Sequence, residues 1–345
     1  MSSINNKQVL CDFWYFKQLG DITFPFERYA EEKIGPRFAR FFLRFFVLRA
    51  LLLIWLGRDF PLIAPDWYRY GRLICVLQAI LRNRNIVVFE CIDIEVWKKG
   101  PIIAAAILFI DKHVFGPCMR ASVLAVHVFT NRERPIFMER YGLPEDVLHT
   151  VPWPLSGWPW QVHNPTRATR DGYVFAGGRN SCDYETFFEA AHYGNWPLVV
   201  VCSSKDLPRV TALNKNGRAT VFSEIAEVEN QRLLAGATIC ALCLKESLKS
   251  AGQSRLACAI AAGVPVVASD VLGLDGCLID GVTAMAVEAG HPAALARAIE
   301  NLMNDPERRY TLAVAAQQHA AKFTKDDYFS ALRQLLSRCL ESNRR

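Results

Sequence analysis

TICALCLKESLKSAGQSRLACAIAAGVPVVASD, residues 238–270, carries the fold in its pattern. Residues 238–244 are a short apolar run without alternation. A polar loop follows, and at 253–262 a helix built from small residues. Residues 264–269 are a second apolar run. Strand, loop, helix and strand in that order, with strands apolar at every position, make a βαβ unit of a parallel sheet covered on both faces.

Outward from this unit the second half of the chain keeps alternating. Strands are predicted at 173–176, 197–202 and 219–222, and helices at 183–193, 227–234, 292–304 and 307–323. A last helix is predicted at 326–340, with Thr324 as its N-cap. The pattern predicts a doubly wound sheet, which binds ligands at the carboxyl ends of its strands. The first half is less regular. Residues 9–16, 86–90 and 123–130 read as strands, 104–110 as a buried helix, and 131–142 as a helix with Pro135 in its first turn. Between the halves, residues 152–172 hold four prolines, two glycines and three tryptophans, the composition of a stiff connector. Trp153, Trp158 and Trp160 are expected to wedge two domains together, with stacking on a sugar as the alternative. The expected organisation is an N-terminal domain at 1–155, a hinge at 156–172, a C-terminal domain at 173–323, and a helix at 324–345 able to cross back to the first domain.

The net charge of +6 is unevenly spread. Residues 28–84 hold 11 basic against 4 acidic side chains. That excess is small for a nucleic-acid binder, and no recognition motif accompanies it, so no nucleic-acid partner is expected. It suits an anionic membrane surface or a phosphorylated acceptor. Residues 37–58 are too interrupted by Arg40, Arg44 and Arg49 to span a bilayer. Read as one helix, however, residues 33–58 bring Lys33, Arg37, Arg40 and Arg44 onto one stripe beside Phe38, Phe41, Phe42, Phe45 and Phe46. An in-plane interfacial helix has that pattern; the alternative is a buried helix whose arginines face water. The eleven cysteines lack CxxC or zinc spacing and read as reduced core thiols. The start, MSSINNKQVL, shows no signal peptide, so a cytoplasmic protein, peripheral on the inner membrane face, is expected.

Three loops should meet at the carboxyl edge of the second sheet. The first, FAGGRNSCDYE, offers Gly177 and Gly178 for close backbone approach, the cation of Arg179, and a helix start. The second offers Lys245, Lys249, Ser250, Gly252, Gln253 and Ser254, with helix-start amides suited to a diphosphate. The third follows 264–269. Lys205 is a further candidate cation. No metal cluster is evident. Read blandly, the glycines make a turn, Gly252 and Gln253 cap a helix, and the lysines are solvated. His127, in an apolar run, reads as a satisfied core histidine, and Cys258 as a core residue facing the sheet.

The order of these segments resembles the C-terminal half of glycosyltransferase family 4. AxAAGVPVVASDVxGLxxxLxDGxTAxxV at residues 257–287 is similar to that family's strongest signature, HPAALARAIENLMNDPERR continues it, and YVFAGGRNSCDYETFFEAA is similar to its first C-domain strand and loop. The likeness covers roughly residues 120–325 and is strongest over 171–325. It implies a GT-B fold, two Rossmann-like doubly wound parallel-sheet domains facing a cleft. It also implies a hexosyltransferase-type enzyme that uses a nucleoside diphosphate sugar, needs no obligatory cofactor or metal, and retains configuration. Arg179 matches the family's diphosphate-binding arginine. The partner lysine falls on Tyr184 or Glu185, so Lys205 or Lys249 would have to substitute. The family's glutamate pair falls on Ser250 and Cys258, and its N-domain histidine on Glu90. Glu90 is thus either a catalytic carboxylate, accepting the acceptor's proton or orienting the sugar, or a structural one at a strand end. The glycine-rich first loop is not evident in CDFWYFKQLGDITFPFERY; Gly20 is its one candidate remnant. The expected reaction is sugar transfer to a lipid-linked or cell-envelope glycan. The alternative is a degenerate module that binds a nucleotide or protein partner without catalysis.

Overall fold

The structure, a computed structural model, describes residues 8–13, 18–91, 100–168, 172–248 and 250–343. The chain divides into two compact units. Unit 1 comprises the residues up to Val151 together with those from Phe329 onward; unit 2 is Pro152–Tyr328.

In unit 1 the strands β1 (Val9–Cys11) and β2 (Thr23–Pro25) precede the helices α1 (Phe26–Ile34), α2 (Pro36–Arg44) and α3 (Phe46–Leu56). Then come β3 (Leu62–Ala64), α4 (Arg72–Ile80), β4 (Ile86–Val88), α5 (Pro101–Ile110), α6 (Gly116–Ser122), β5 (Val123–Val128), α7 (Arg134–Tyr141) and β6 (Leu148–Thr150). The six strands form one parallel sheet ordered β2-β1-β3-β4-β5-β6. Every connection from β2 to β6 crosses in the same direction, so right-handed crossovers place α1 to α7 in one layer on one face. Within it α3 packs on α4 and α4 on α6.

Two expectations for this unit are corrected. Residues 33–58 do not form one helix. Gly35 at φ 80° and the extended Phe45 break the run into α1, α2 and α3, because Pro36 has no N–H to continue the first helix and opens the second. Lys33 therefore sits on α1, its ammonium 3.4 Å from Asp59, while Arg37, Arg40 and Arg44 stay exposed together on α2. Arg49 faces neither water nor lipid: it is buried and ion-paired with Asp12 and Glu27. The second correction concerns residues 104–110, which are helical but not buried. Of α5 only Ala104 is buried.

In unit 2 the chain runs β7 (Val174–Gly177), α8 (Tyr184–Ala190), β8 (Leu198–Cys202), α9 (Leu207–Leu213), β9 (Ala219–Ser223), α10 (Glu227–Gly236) and β10 (Ile239–Leu242). It continues with α11 (Gln253–Ala261), β11 (Val266–Asp270), β12 (Met285–Glu288), α12 (Pro292–Asn304) and α13 (Pro306–Ala320). The helix α14 (Lys325–Asn343) follows. The Thr324 hydroxyl caps it by accepting the Asp327 N–H at 3.1 Å, and beyond Phe329 it lies in unit 1, where Arg333 pairs with Asp21 at 2.7 Å. The sheet is parallel, ordered β12-β11-β10-β7-β8-β9. Two hydrophobic clusters cover its two faces, one holding Phe175, Leu242 and Leu256, the other Val174, Val200 and Ile299.

The unit boundary falls at Val151/Pro152, ahead of the proline-rich 156–172 stretch. That stretch runs along unit 2: the His163 N–H donates to Ala261 O at 2.9 Å and Gln317 holds His163 O. The tryptophans stack on one another, Trp153 on Trp158 at 5.0 Å, and pack against the unit 2 core. All eleven cysteines are free thiols, nine buried and two, Cys118 and Cys182, half-buried.

Candidate functional site

In unit 2 the strand order reverses at β7. β8 and β9 continue to one side of it; β10, β11 and β12 continue to the other. At such a switch point the loops leave the sheet in opposite directions and open a crevice at the carboxyl ends of the strands. The two loops that emerge are the stretch after β7, from Gly178 to Asp183, and the stretch after β10, from Cys243 to Gly252.

Backbone contacts stitch their bases together. The Asp183 N–H donates to Cys243 O at 2.9 Å, the Lys245 N–H to Ser181 O at 2.8 Å, and Cys182 bridges Leu244. The third loop joins through Ser269, whose hydroxyl accepts the Leu244 N–H at 3.1 Å. Gly252 has φ 91° and forms the N-cap of α11; a Cβ there would lie 2.4 Å from Leu244 Cδ1. Glycine takes that backbone without strain, and any side chain there would displace the Leu244 methyl.

The predicted residues distribute as follows. Gly177 ends β7 and Gly178 begins its loop, the Gly178 N–H donating to Val201 O. Arg179 is 68% exposed and ion-paired with Glu224 at 2.8 Å. Glu224 also accepts the Ser204 N–H, and that bond and Arg179 hold its carboxyl below the usual range. Lys205 is exposed in the loop after β8. Lys249 lies outside the described residues. Ser250 is half-buried, and Ser254 is exposed in the first turn of α11. Gln253, the first residue of α11, is buried, and its side-chain Nε2 has no hydrogen-bond partner. Glu185, one of the two positions on which the resemblance would put the lysine, pairs with Arg209 and with Lys245, whose Nζ lies 3.3 Å away. A cation from the neighbouring loop thus stands beside Glu185.

Sequence reasoning missed Arg255. One turn into α11, its guanidinium lies 5.5 Å over the Phe175 ring of β7. The signal was its position two residues past the helix start, masked by the small residues around it. Cys258 lies in the core cluster, as expected, and burial pushes its thiol up to about 11. It also lines a cavity of about 260 Å³ with Trp160, His163, Val228 and Arg232. Among the described residues, no group of His, Cys, Asp and Glu side chains is placed to hold a metal ion.

In unit 1, Glu90 follows β4 with φ 49°, a left-handed conformation uncommon for a residue bearing a side chain. Its N–H donates to His127 Nδ1 at 3.2 Å, and Tyr68 donates to its carbonyl at 3.3 Å. His127 Nε2 lies 3.0 Å from Val151 O. The carbonyl can only accept, so the proton is on Nε2 and the ring is neutral. Burial moves its pKa down to about 4. His127 is a satisfied core histidine that ties the Glu90 turn to the end of β6.

Two six-stranded parallel sheets, each in its own unit, match the GT-B fold. A sequence model of the family described as Glycosyl transferases group 1 matches residues 186–305, about a third of the chain and all within unit 2. A D-inositol 3-phosphate glycosyltransferase of Corynebacterium diphtheriae is 44% identical over 64 residues, 19% of this chain and 15% of that protein. The match therefore spans under a fifth of that relative's length. Among solved structures, sucrose-phosphate synthase from Thermosynechococcus elongatus has a TM-score of 0.66 at 17% identity, over 86% of this chain and 78% of that one. Anabaena Alr3699/HepE in complex with UDP has a TM-score of 0.66 at 14% identity, over 95% and 88%. The same Anabaena protein has also been solved with UDP-glucose.

Proposed function

We propose that this chain is a glycosyltransferase that moves a sugar from a nucleoside diphosphate sugar to a lipid-linked or cell-envelope glycan, while resting on the anionic cytoplasmic face of a membrane. One observation carries the donor part of this reading: the Arg179 loop is stitched to the loop leading to Gly252 at the switch point of the unit 2 sheet. As the glycosidic bond breaks, charge grows on the departing diphosphate. Arg179, Lys245 and the amides at the start of α11 are the groups proposed to stabilise it. The unpartnered Nε2 of Gln253 adds a buried donor. An exposed ion pair such as Arg179–Glu224 is weak, so the guanidinium can leave Glu224 for a diphosphate, which it grips by charge-assisted bonds. Glu90, fixed in its turn by His127 and Tyr68, is the proposed acceptor-side carboxylate.

The relatives support the donor class: HepE holds UDP and UDP-glucose. The membrane reading draws on the exposed Arg37, Arg40 and Arg44 with exposed phenylalanines on α2. A second reading, a nucleotide-binding module without turnover, is favoured by the loss of acidic groups at Ser250 and Cys258. Incubation with UDP- and GDP-sugars separates the two. Released nucleotide that disappears in Arg179→Ala supports the enzyme; a melt shift with UDP or GDP but no release supports the binding module.

A further inference from the structure

The helix α5 reads PIIAAAILFI and contains no polar side chain. Such a sequence belongs in a core, yet Ile102 is 84% exposed and Phe109 63%, and Ile103, Leu108 and Ile110 are exposed as well. At about 100° per residue, its exposed positions sweep roughly 220° of the helix circumference. The other end of the same rod is anchored. Phe115 and Met119 are buried, and Asp111, at the junction, is buried with Arg140 Nε donating to it at 2.8 Å. Residues Pro101–Ser122 form a helix long and apolar enough to cross a membrane by length and composition, but the buried half holds it in the core of unit 1. The free half, about 15 Å long, can enter one leaflet and cannot span a bilayer.

We infer that α5 is a wedge that inserts into the hydrocarbon margin of a lipid bilayer, with α2 supplying the electrostatic contact to anionic headgroups. The breadth of the exposed surface decides the occupant. A protein groove takes one stripe of a helix, and a second copy of this chain would cover one side; only a hydrocarbon medium covers so wide an arc. Neighbouring exposure agrees. α3 runs into the amino end of β3, and the α5–α6 rod runs into the amino end of β5, so both start toward the carboxyl end of the sheet. Phe45, Phe46 and Val47, exposed at the start of α3, therefore lie toward the same end of the helical layer as α5. Tyr68, also exposed, follows β3 at that end. Lys112, exposed just beyond α5, is long enough to reach headgroups.

This inference rests on the membrane part of the function proposed above, and the test keeps the parts apart. Flotation is measured with phosphatidylcholine vesicles, with and without phosphatidylglycerol, at about 0.1 M and about 1 M salt. The native protein is expected to bind anionic vesicles at low salt and to keep a salt-resistant fraction. Replacing Ile102 and Phe109 together with Glu should lower binding more than ten-fold in both salts, because exposed residues are changed and the core is not. Replacing Arg37, Arg40 and Arg44 with Glu should remove only the salt-sensitive part. Amide exchange in the 101–110 peptide should slow on vesicles. Unchanged flotation of the Ile102/Phe109 variant, or unchanged exchange, overturns the wedge. So does conversion of a dimer to a monomer by that variant with vesicle binding intact, which would assign the face to a second copy. Donor hydrolysis in solution, equal in all variants, shows that the sugar-transfer reading survives either result.

Discussion

At the residue scale, Arg179 and His127 differ in how their environment fixes their role. Arg179 is exposed and lightly held by Glu224, so it is available to a ligand. Arg179→Ala is expected to lower donor turnover by about 10²-fold or more, the scale of losing one charge-stabilising donor, with the melting midpoint nearly unmoved. Glu224→Gln, which frees the arginine, should leave turnover within about three-fold under the same reasoning. Rates with saturating UDP-sugar read both. His127 is locked: one ring nitrogen accepts and the other donates. Its pKa falls from 6.5 to about 4 in the folded state, so the unfolded chain binds a proton more readily between those values. Stability present above about pH 6.5 is therefore lost as pH falls towards 4, on the order of 3 kcal/mol in all. Urea midpoints across that range should show the slope, and His127→Gln should flatten it.

At the element scale, two joints carry the architecture. Gly252 turns the chain into α11 with positive φ, and a Cβ there would have to push the Leu244 methyl aside. Gly252→Ala is expected to cost about 1–3 kcal/mol through backbone strain and to weaken nucleotide binding, because the α11 amides shift; urea unfolding and UDP titration would report each. The second joint is Asp111, where the exposed and buried halves of the 101–122 helix meet. Its carboxylate serves Arg140 and, from 3.4 Å, Arg72. Asp111→Ala strands a buried arginine and should destabilise unit 1 by about 3–5 kcal/mol, seen as a lowered urea midpoint.

At the scale of the whole molecule, the strands are buried and most thiols are buried with them. Of the eleven cysteines only Cys118 and Cys182 are even half-exposed, and burial raises the Cys11, Cys75, Cys240 and Cys277 thiols to about 12. A thiol that is neither ionised nor accessible does not react. A thiol-disulfide reagent should therefore modify about two groups quickly in the native protein and all eleven after denaturation.

The alternation of apolar strands with helices along the second half determined the doubly wound sheet, because a strand apolar at every position must be covered on both faces. The turn at Gly252 was legible for a similar reason: local backbone geometry follows from residue type. The first half yielded less. Its strands β1 to β4 are three residues long, too short for a period to show, and α5 has a sequence suited equally to a core and to lipid. β12 and α9 went unread because the turns around them hid their pattern. What only the tertiary structure decided was pairing. Lys245 reaches Glu185 across two loops, Arg255 lies over Phe175, Arg49 turns inward to Asp12 and Glu27, and α5 turns outward. Composition states what a side chain prefers, but which neighbour satisfies it depends on chain segments brought together from far apart in the sequence.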